Sequence, residues 1–322
     1  MKVSILAFDD CSPMSPVGKM ELLNKAGAIH QELTGAKKPY FVTQLVGVKR
    51  KKVRCSDTFS LDCHTTLDQL TATDILLIPS LEFDVENKLQ YNRAALPHLL
   101  RLHKKGAELG SACTGSFMLA ATGLLKDKSA TTHWYAADQF KTMYPDVKLI
   151  DHKIIVDEGG LYSSGGATSS IYMGLYLTEK YCGKETARMT SRMMLIDTNR
   201  TSVAEFAVFI PQKQHKDEAI YHTQQAIEQN NHEKLSVEGL AKMAHLSKRT
   251  FIRRFKAATG NTPIEYIQRM NVEKAKRLLE NKTSSIEQVS YELGYSDSNS
   301  FRKIFFRYTN LTLKDYRARY AM

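Results

Sequence analysis

The spacing of apolar residues changes once along the chain, and the change divides it in two. Over roughly the first 195 residues, short apolar runs alternate with amphipathic stretches. Residues 3–8 (VSILAF) and 74–79 (DILLIP) read as buried parallel strands, and 40–48, rich in β-branched and aromatic residues, reads as another. Residues 16–28 and 92–105 carry helical periodicity between them. Residues 153–156 and 161–163 flank Asp157-Glu158-Gly159-Gly160, a hairpin signal, and 168–181 and 184–196 predict two helices. This alternation predicts an α/β fold with a central, mostly parallel sheet. From residue 217 onward the strand signals vanish and everything reads as helix and turn.

The second part is built around residues 262–282, TPIEYIQRMNVEKAKRLLENK. Thr262 and Glu265 predict a capping box and Pro263 suits the first helical position. Ile264, Ile267, Met270, Ala275 and Leu278 suggest one apolar stripe. A repeated pattern flanks this helix, a short amphipathic segment, a tight turn, then a helix with Phe at i and i+4: Phe251/Phe255 upstream and Phe301/Phe305 downstream. The two units span about 236–258 and 285–309. In the first, Ser236 and Ser247 are the predicted caps and Gly260 the stop. In the second, Ser285 with Gln288 predicts a capping box, Gly294 the turn, and Asp297 and Thr312 further caps.

With the phenylalanines turned inward, each second helix shows a polar face. In the first unit it carries Lys248, Arg249, Thr250, Ile252, Arg253 and Lys256. In the second it carries Ser298, Asn299, Ser300, Arg302, Lys303 and Arg307. Arg reads guanine edges, Asn reads adenine, and Lys meets phosphates. Charge agrees with this assignment. The net charge is +11, and residues 216–322 hold 19 Lys/Arg against 12 Asp/Glu. A basic excess concentrated on the repeat is the footprint of a polyanion partner; a solvated basic helix face is the alternative. Residues 198–216, polar and led late by Pro211, are the expected linker between a domain 1–197 and a domain 217–322.

Composition narrows the setting. At 322 residues the chain can bury two cores, and 43% hydrophobic with 25% charged residues is ordinary for a soluble protein. No apolar run approaches the ~18 residues of a membrane span, and Asp9 and Asp10 interrupt the N-terminal apolar run, so a cytoplasmic location without membrane contact is expected. Five cysteines show no CxxC and no zinc spacing; free thiols and no metal or cofactor are expected.

Chemistry gathers at Glu108-Leu-Gly-Ser-Ala-Cys113-Thr114-Gly-Ser-Phe117, a short strand running into an apolar helix. Small residues crowd Cys113, as a strained strand-to-helix turn requires. A helix N-terminus there would lower the thiol pKa. Thr131-Thr132-His133-Trp134 follows, and a Cys elbow with a downstream His is the minimal set for thiol chemistry. Cys113 packing inertly in a tight turn, and Trp134 simply opening the core face of the next helix, are the plainer readings.

The region 1–195 resembles the PfpI and class-I glutamine amidotransferase-like superfamily, especially its branch with a CTG…LA…GLL…TTHW pattern and a C-terminal helix-turn-helix domain. Residues 217–320 resemble the AraC/XylS family DNA-binding domain, most specifically over VSYELGYSDSNSFRKIFFRYTNLTLKDYR. Asn310 stands where that family usually has glycine, Leu313 where proline is common, and Phe306 where a basic residue is usual. The first resemblance implies a flavodoxin-like three-layer α/β/α sandwich. It also implies an acidic side chain touching the cysteine and a Gly-Gly oxyanion nest. Here those positions read Ser12, Pro13 or Met14, and Pro79-Ser80-Leu81. The expectation is a non-enzymatic pocket lined by Cys113, Thr114, His133, Trp134, Ser12 and Met14. Cys113 and His133 would be catalytic only in the alternative, a cysteine-dependent hydrolase or glyoxalase-like enzyme. The chain is thus expected to be a transcription regulator that binds double-stranded promoter DNA. It would take a small-molecule effector, pair as a homodimer through the N-terminal domain, and have RNA polymerase as a possible partner. A constitutive regulator whose N-terminal domain only dimerises is a third reading.

Overall fold

A computed structural model describes the chain except for residues 56–57, 167, 201, 230–234, 282–284 and 322. Two compact units divide between Val203 and Ala204.

The first unit runs β1 (Lys2–Ala7), α1 (Met14–Thr34), β2 (Val42–Gly47), β3 (Lys52–Arg54), β4 (Ser60–Asp62), β5 (Thr65–Thr66), β6 (Ile75–Ile78), α2 (Val85–Tyr91) and α3 (Leu96–Lys104). It continues through β7 (Glu108–Ala112), α4 (Ser116–Ala121), β8 (Ser129–Ala130), α5 (Ala137–Met143), β9 (Lys148–Leu149), β10 (Ile155–Asp157), β11 (Leu161–Ser164) and α6 (Ser169–Met193). Seven strands form one sheet in the order β10-β11-β7-β6-β1-β2-β5, parallel except for the β10–β11 hairpin. Val3, Ile5, Ile75, Leu76 and Leu77 are fully buried, as the apolar runs required of strands covered on both faces. Gly110 lets β7 approach its cover: a Cβ there would come within 2.6 Å of a Leu77 methyl and 3.1 Å of the Met173 sulfur. The two helices expected at 168–181 and 184–196 are the two arms of α6, which bends at Gly183 (φ 84°).

The strand order reverses beside β1. The chain leaves β1 toward β2, then returns to lay β6 and β7 on the other side. In open α/β sheets the carboxyl ends of strands at such a point form a natural crevice.

The second unit is helical: α7 (Glu218–Gln229), α8 (Val237–Met243), α9 (Lys248–Thr259), α10 (Pro263–Glu280), α11 (Ile286–Glu292), α12 (Ser298–Thr309) and α13 (Leu313–Tyr320). Every expected cap is present. Ser236, Ser247, Asp297 and Thr312 accept from backbone N–H groups, and both capping boxes close. Lys282, the expected last residue of the central helix, lies outside the described residues; α10 ends at Glu280.

One expectation needs correction. The stripe on α10 holds at Met270 and Ala275, which are buried, and at Ile267 and Leu278, which are half-buried against the cores, but Ile264 is 55% exposed, and Tyr266, Val272 and Leu279, outside the stripe, are buried. The reason is that α10 serves two cores. Tyr266 and Met270 join Phe251 and Phe255 in one, and Val272, Ala275 and Leu279 join Phe301 and Phe305 in the other. Several residues of the expected linker 198–216 are held by specific contacts. Val203 N–H donates to the His152 carbonyl (2.9 Å), and Ser202 bridges Lys153 in the first unit. Beyond the division, Phe209 packs edge-on against Tyr266 at 5.1 Å, Lys276 Nζ donates to the Ala207 carbonyl, and Lys213 pairs with Glu228 at 2.6 Å. Polar composition concealed this because backbone groups, one aromatic ring and an ion pair hold the segment.

Candidate functional sites: two reading helices and the Cys113 elbow

Helices α9 and α12 present the faces expected of them. Phe251 and Phe255 are fully buried, as are Phe301 and Phe305. Opposite them Lys248, Arg249, Arg253 and Lys256 are exposed, with Thr250 and Ile252 half-buried. On α12, Asn299, Ser300, Arg302, Lys303 and Arg307 are exposed and Ser298 half-buried. Several are already engaged. Lys248 pairs with Glu238 on α8, and Arg302 with Glu287 on α11 at 3.3 Å. Both pairs are exposed and weak enough to yield to a phosphate. Thr250 and Ser300 hydroxyls bond to the caps Ser247 (2.9 Å) and Asp297 (2.8 Å). Arg254 differs from its neighbour Arg253: its guanidinium grips Asp217 through two bonds of 2.7 and 2.8 Å, tying α9 to the start of α7.

The two turns differ by one residue. The left-handed residue is His245 (φ 53°) in the first and Gly294 (φ 79°) in the second. It stands two residues before the Ser247 cap but three before Asp297. At the far ends, Gly260 (φ 71°) and Asn310 (φ 57°) both take the left-handed stop, so asparagine does the work of the usual glycine. Phe306, where a basic residue is usual, is 51% exposed.

In the first unit, three non-glycine residues have left-handed backbones along one edge: Asp10 (φ 59°) after β1, Glu82 (φ 59°) after β6 and Cys113 (φ 56°) after β7. Such conformations are costly and cluster where the surroundings force them. The forcing contacts are visible. Gly115 sits so near β6 that a Cβ would lie 2.3 Å from the Pro79 carbonyl oxygen. Thr114 Oγ1 accepts from Leu81 N–H at 3.0 Å, lies 3.0 Å from Ser80 Oγ, and reaches the Glu82 carbonyl at 3.2 Å. Ser116 and Thr132 hydroxyls both donate to the Cys113 carbonyl, at 3.1 and 3.2 Å.

The Cys113 thiol is 6% exposed. Burial pushes its pKa up despite hydrogen bonds from Ser80 and Thr114 that work the other way, and the Glu82 carboxylate adds to the rise. The expected lowering by a helix N-terminus therefore loses to desolvation. His133 is half-buried, and burial lowers its pKa. Its Nδ1 accepts from Tyr135 N–H at 3.1 Å. Among the described residues no hydrogen bond joins His133 to Cys113; Thr132 makes the link instead. Trp134, half-buried, lies against His133 at 5.2 Å, and the exposed Tyr135 meets the exposed Phe83 edge-on at 5.6 Å.

From the loop after β1, Ser12 is half-buried and Met14 is 43% exposed. The side chain that reaches the β6 loop is Ser15, whose Oγ accepts from Ser80 N–H at 3.1 Å. Beneath lies Lys19, fully buried, with its Nζ 3.5 Å from the Ile78 carbonyl. Burial drops its pKa to about 7, while Cys113 and Cys11 pull it back up. Sequence reasoning missed it because a lysine one turn into an amphipathic helix reads as solvent-facing. Among the described residues no cluster of side chains fits a metal ion, and no helix is long and apolar enough to cross a membrane.

The comparisons with known proteins fit both units. The DJ-1/PfpI family model matches residues 1–180, and a helix-turn-helix domain model matches residues 240–319. The HTH-type transcriptional regulator CdhR of Pseudomonas aeruginosa is 25% identical over 96% of this chain and 86% of its own. The HTH-type transcriptional regulator GbdR of the same species is 23% identical over 98% and 83%. The crystal structure of a candidate transcriptional regulator of Vibrio parahaemolyticus superposes with a TM-score of 0.54 and 25% identity, covering 60% of this chain and 98% of that one. The chain belongs to the DJ-1/PfpI family and carries an AraC-type helix-turn-helix domain at its C-terminal end.

Proposed function

We propose that this protein is a DNA-binding transcription regulator whose N-terminal unit takes a small-molecule effector at the carboxyl edge of its sheet, around Cys113. The observation that carries the DNA-binding reading is the pair of capped helices α9 and α12, each pinned by two buried phenylalanines and exposing cations, with the Asn299 amide beside them on α12. Arg249, Arg253 and Asn299 read base edges in this reading. Lys256, Lys303 and Arg307 meet phosphates, and Lys248 and Arg302 exchange their acidic partners for phosphate. The eighteen residues of α10 span about 27 Å, close to the ~34 Å between successive major grooves on one face of the duplex. A homodimer through the N-terminal unit would present two such pairs, and RNA polymerase is the natural further partner.

The effector reading rests on the three left-handed residues at the switch point, where strain without a ligand has no evident use. Cys113, Thr114, His133, Trp134, Ser12 and Met14 are assigned as its lining. A hydrolytic or glyoxalase-like role is disfavoured: the thiol is held protonated, His133 spends Nδ1 on a backbone amide, and Ser15 occupies the approach from the first loop.

The test is footprinting and competition binding with genomic promoter fragments, repeated across a metabolite panel, with Cys113→Ala alongside. Site-selective protection whose affinity moves with one metabolite supports the reading. Equal affinity for specific and random DNA, or Cys113-dependent turnover of any panel member, overturns it.

A further inference from the structure

The DNA-binding and effector readings leave four thiols unused, and three of them flank β1, β3 and β4. Cys11 follows β1, Cys55 follows β3 and Cys63 follows β4; none is in a disulfide. Cys11 is fully buried, while Cys55 is partly open to solvent. Their sulfurs lie 3.9 Å apart although 44 residues separate them in the chain. The backbone already holds the two segments together. Asp10 N–H donates to the Arg54 carbonyl at 2.9 Å, and Arg54 N–H donates to Asp9 Oδ1 at 2.9 Å. Each cysteine is thus the next residue after a bonded pair. A disulfide needs about 2.05 Å between sulfurs, a gap that side-chain rotation at two adjacent, tethered positions can close.

We infer that Cys11 and Cys55 form a reversible disulfide under hydrogen peroxide, fastening the β3–β4 hairpin to the loop after β1. Cys55, the more exposed, meets the oxidant first. Its sulfur attacks one peroxide oxygen and the O–O bond breaks. One water leaves with the thiol proton, and Cys55 becomes a sulfenic acid. The Cys11 sulfur then attacks the Cys55 sulfur; the S–S bond forms, the S–O bond breaks, and the hydroxyl departs as water with the Cys11 proton. Two thiols and one peroxide give one disulfide and two waters; the sulfurs together lose two electrons and the peroxide gains them. Burial pushes Cys11 up to about 12 and raises Cys55 as well. The pair is therefore slow to react and suited to sustained rather than momentary oxidant.

The bridge has a structural consequence. Asp9, Asp10 and Arg54 share a cleft of about 410 Å³ with Asp84, Lys88 and Tyr91. A Cys11–Cys55 bond fixes the wall made by the first three, at the same sheet edge as Cys113. Oxidation state thereby becomes a second input to the N-terminal unit, independent of any effector.

The experiment uses the full chain. Reduced protein is treated with hydrogen peroxide under native conditions, its free thiols are alkylated, and peptides are mapped by mass spectrometry. The expected result is a fall in alkylatable thiols from five to three. A peptide pair linking Cys11 to Cys55 should appear, vanish with dithiothreitol, and be absent in Cys55→Ser. Cys63→Ser should keep the bridge, and Cys11→Ala should leave a Cys55 sulfenic acid that dimedone traps. Oxidation confined to Cys113, or a Cys55–Cys63 bridge in its place, overturns the inference. So does survival of all five thiols in protein whose circular dichroism shows it folded.

Discussion

Tyr266 and Tyr316 hold the same place in two copies of one structure. Each is buried, each donates its hydroxyl to a carboxylate (Glu228 at 2.9 Å, Glu280 at 2.8 Å), and each meets a phenylalanine edge-on, Phe255 at 5.3 Å and Phe305 at 5.5 Å. Glu228 lies on α7 and Glu280 on α10, so α7–α10 and α10–α13 are overlapping copies that share a helix. Burial and the nearby carboxylates hold both hydroxyls well above the ordinary phenol range. Gln224 also donates to Tyr266, at 3.1 Å. Tyr316→Phe should cost about 1–2 kcal/mol and Tyr266→Phe up to about 3 kcal/mol, because the latter also removes the acceptor for one N–H of the fully buried Gln224. Urea midpoints of the single and double variants would check this; the two losses should add, since the cores are separate.

Two arginines on α9, Arg249 and Arg254, should behave in opposite ways. Arg249→Ala, and Asn299→Ala on α12, should each cost about 1–3 kcal/mol of specific binding and relax sequence preference. Lys256→Ala should weaken all sequences alike and flatten the salt dependence by about one unit of slope. Arg254→Ala should lower thermal stability instead, because its two bonds run to Asp217. Competition titrations against random DNA at several salt concentrations, with melting curves, separate the three behaviours. Equal losses on specific and random DNA for Arg249→Ala would remove its base-reading role.

Lys274→Pro strikes the middle of α10. It should cost about 3 kcal/mol or more in the helical unit and abolish site-specific binding. The N-terminal unit should still melt at its wild-type temperature, a two-step calorimetric trace being the readout.

Lys19 makes stability depend on pH. Folded, it titrates at about 7; its ordinary value is 10.5. Between those values the unfolded chain binds one proton more than the folded one, so stability rises with pH across that window; the penalty is complete below about 7 and gone above 10.5. Lys19→Met should therefore stabilise the N-terminal unit at pH 7 by on the order of 2–4 kcal/mol, with the gain shrinking toward pH 10. Denaturant midpoints at the two pH values test this; an equal gain at both would contradict it.

The helical unit was largely legible in the sequence, because its signals are local. Capping boxes at Thr262/Glu265 and Ser285/Gln288, the Phe pairs and the stops at Gly260 and Gly294 are each fixed within a few residues. What failed were features set by distant partners. The exposure of Ile264 follows from α10 serving two cores. The packing of residues 204–216 depends on Tyr266 and Lys276. At the elbow, the left-handed Cys113 was foreseeable from its small neighbours. The rise of its pKa, the reach of Ser15 to Ser80 and the burial of Lys19 all depend on how β6 and α1 close over it. No spacing rule in one dimension encodes that closure.

Sharing α10 between the copies turns it into a gear as well as a girder. Each residue of an α-helix adds about 1.5 Å of rise and about 100° of rotation. One residue inserted between Met270, in one core, and Val272, in the other, would barely lengthen the domain. It would, however, swing α12 a quarter-turn or more around the axis relative to α9. Seven inserted residues would restore the facing to within about 20° and add only about 10 Å. Tolerance to insertion here should therefore be periodic rather than graded: on DNA the two heads would fall out of step and back into it, while shorter, subtler edits did more harm than longer ones.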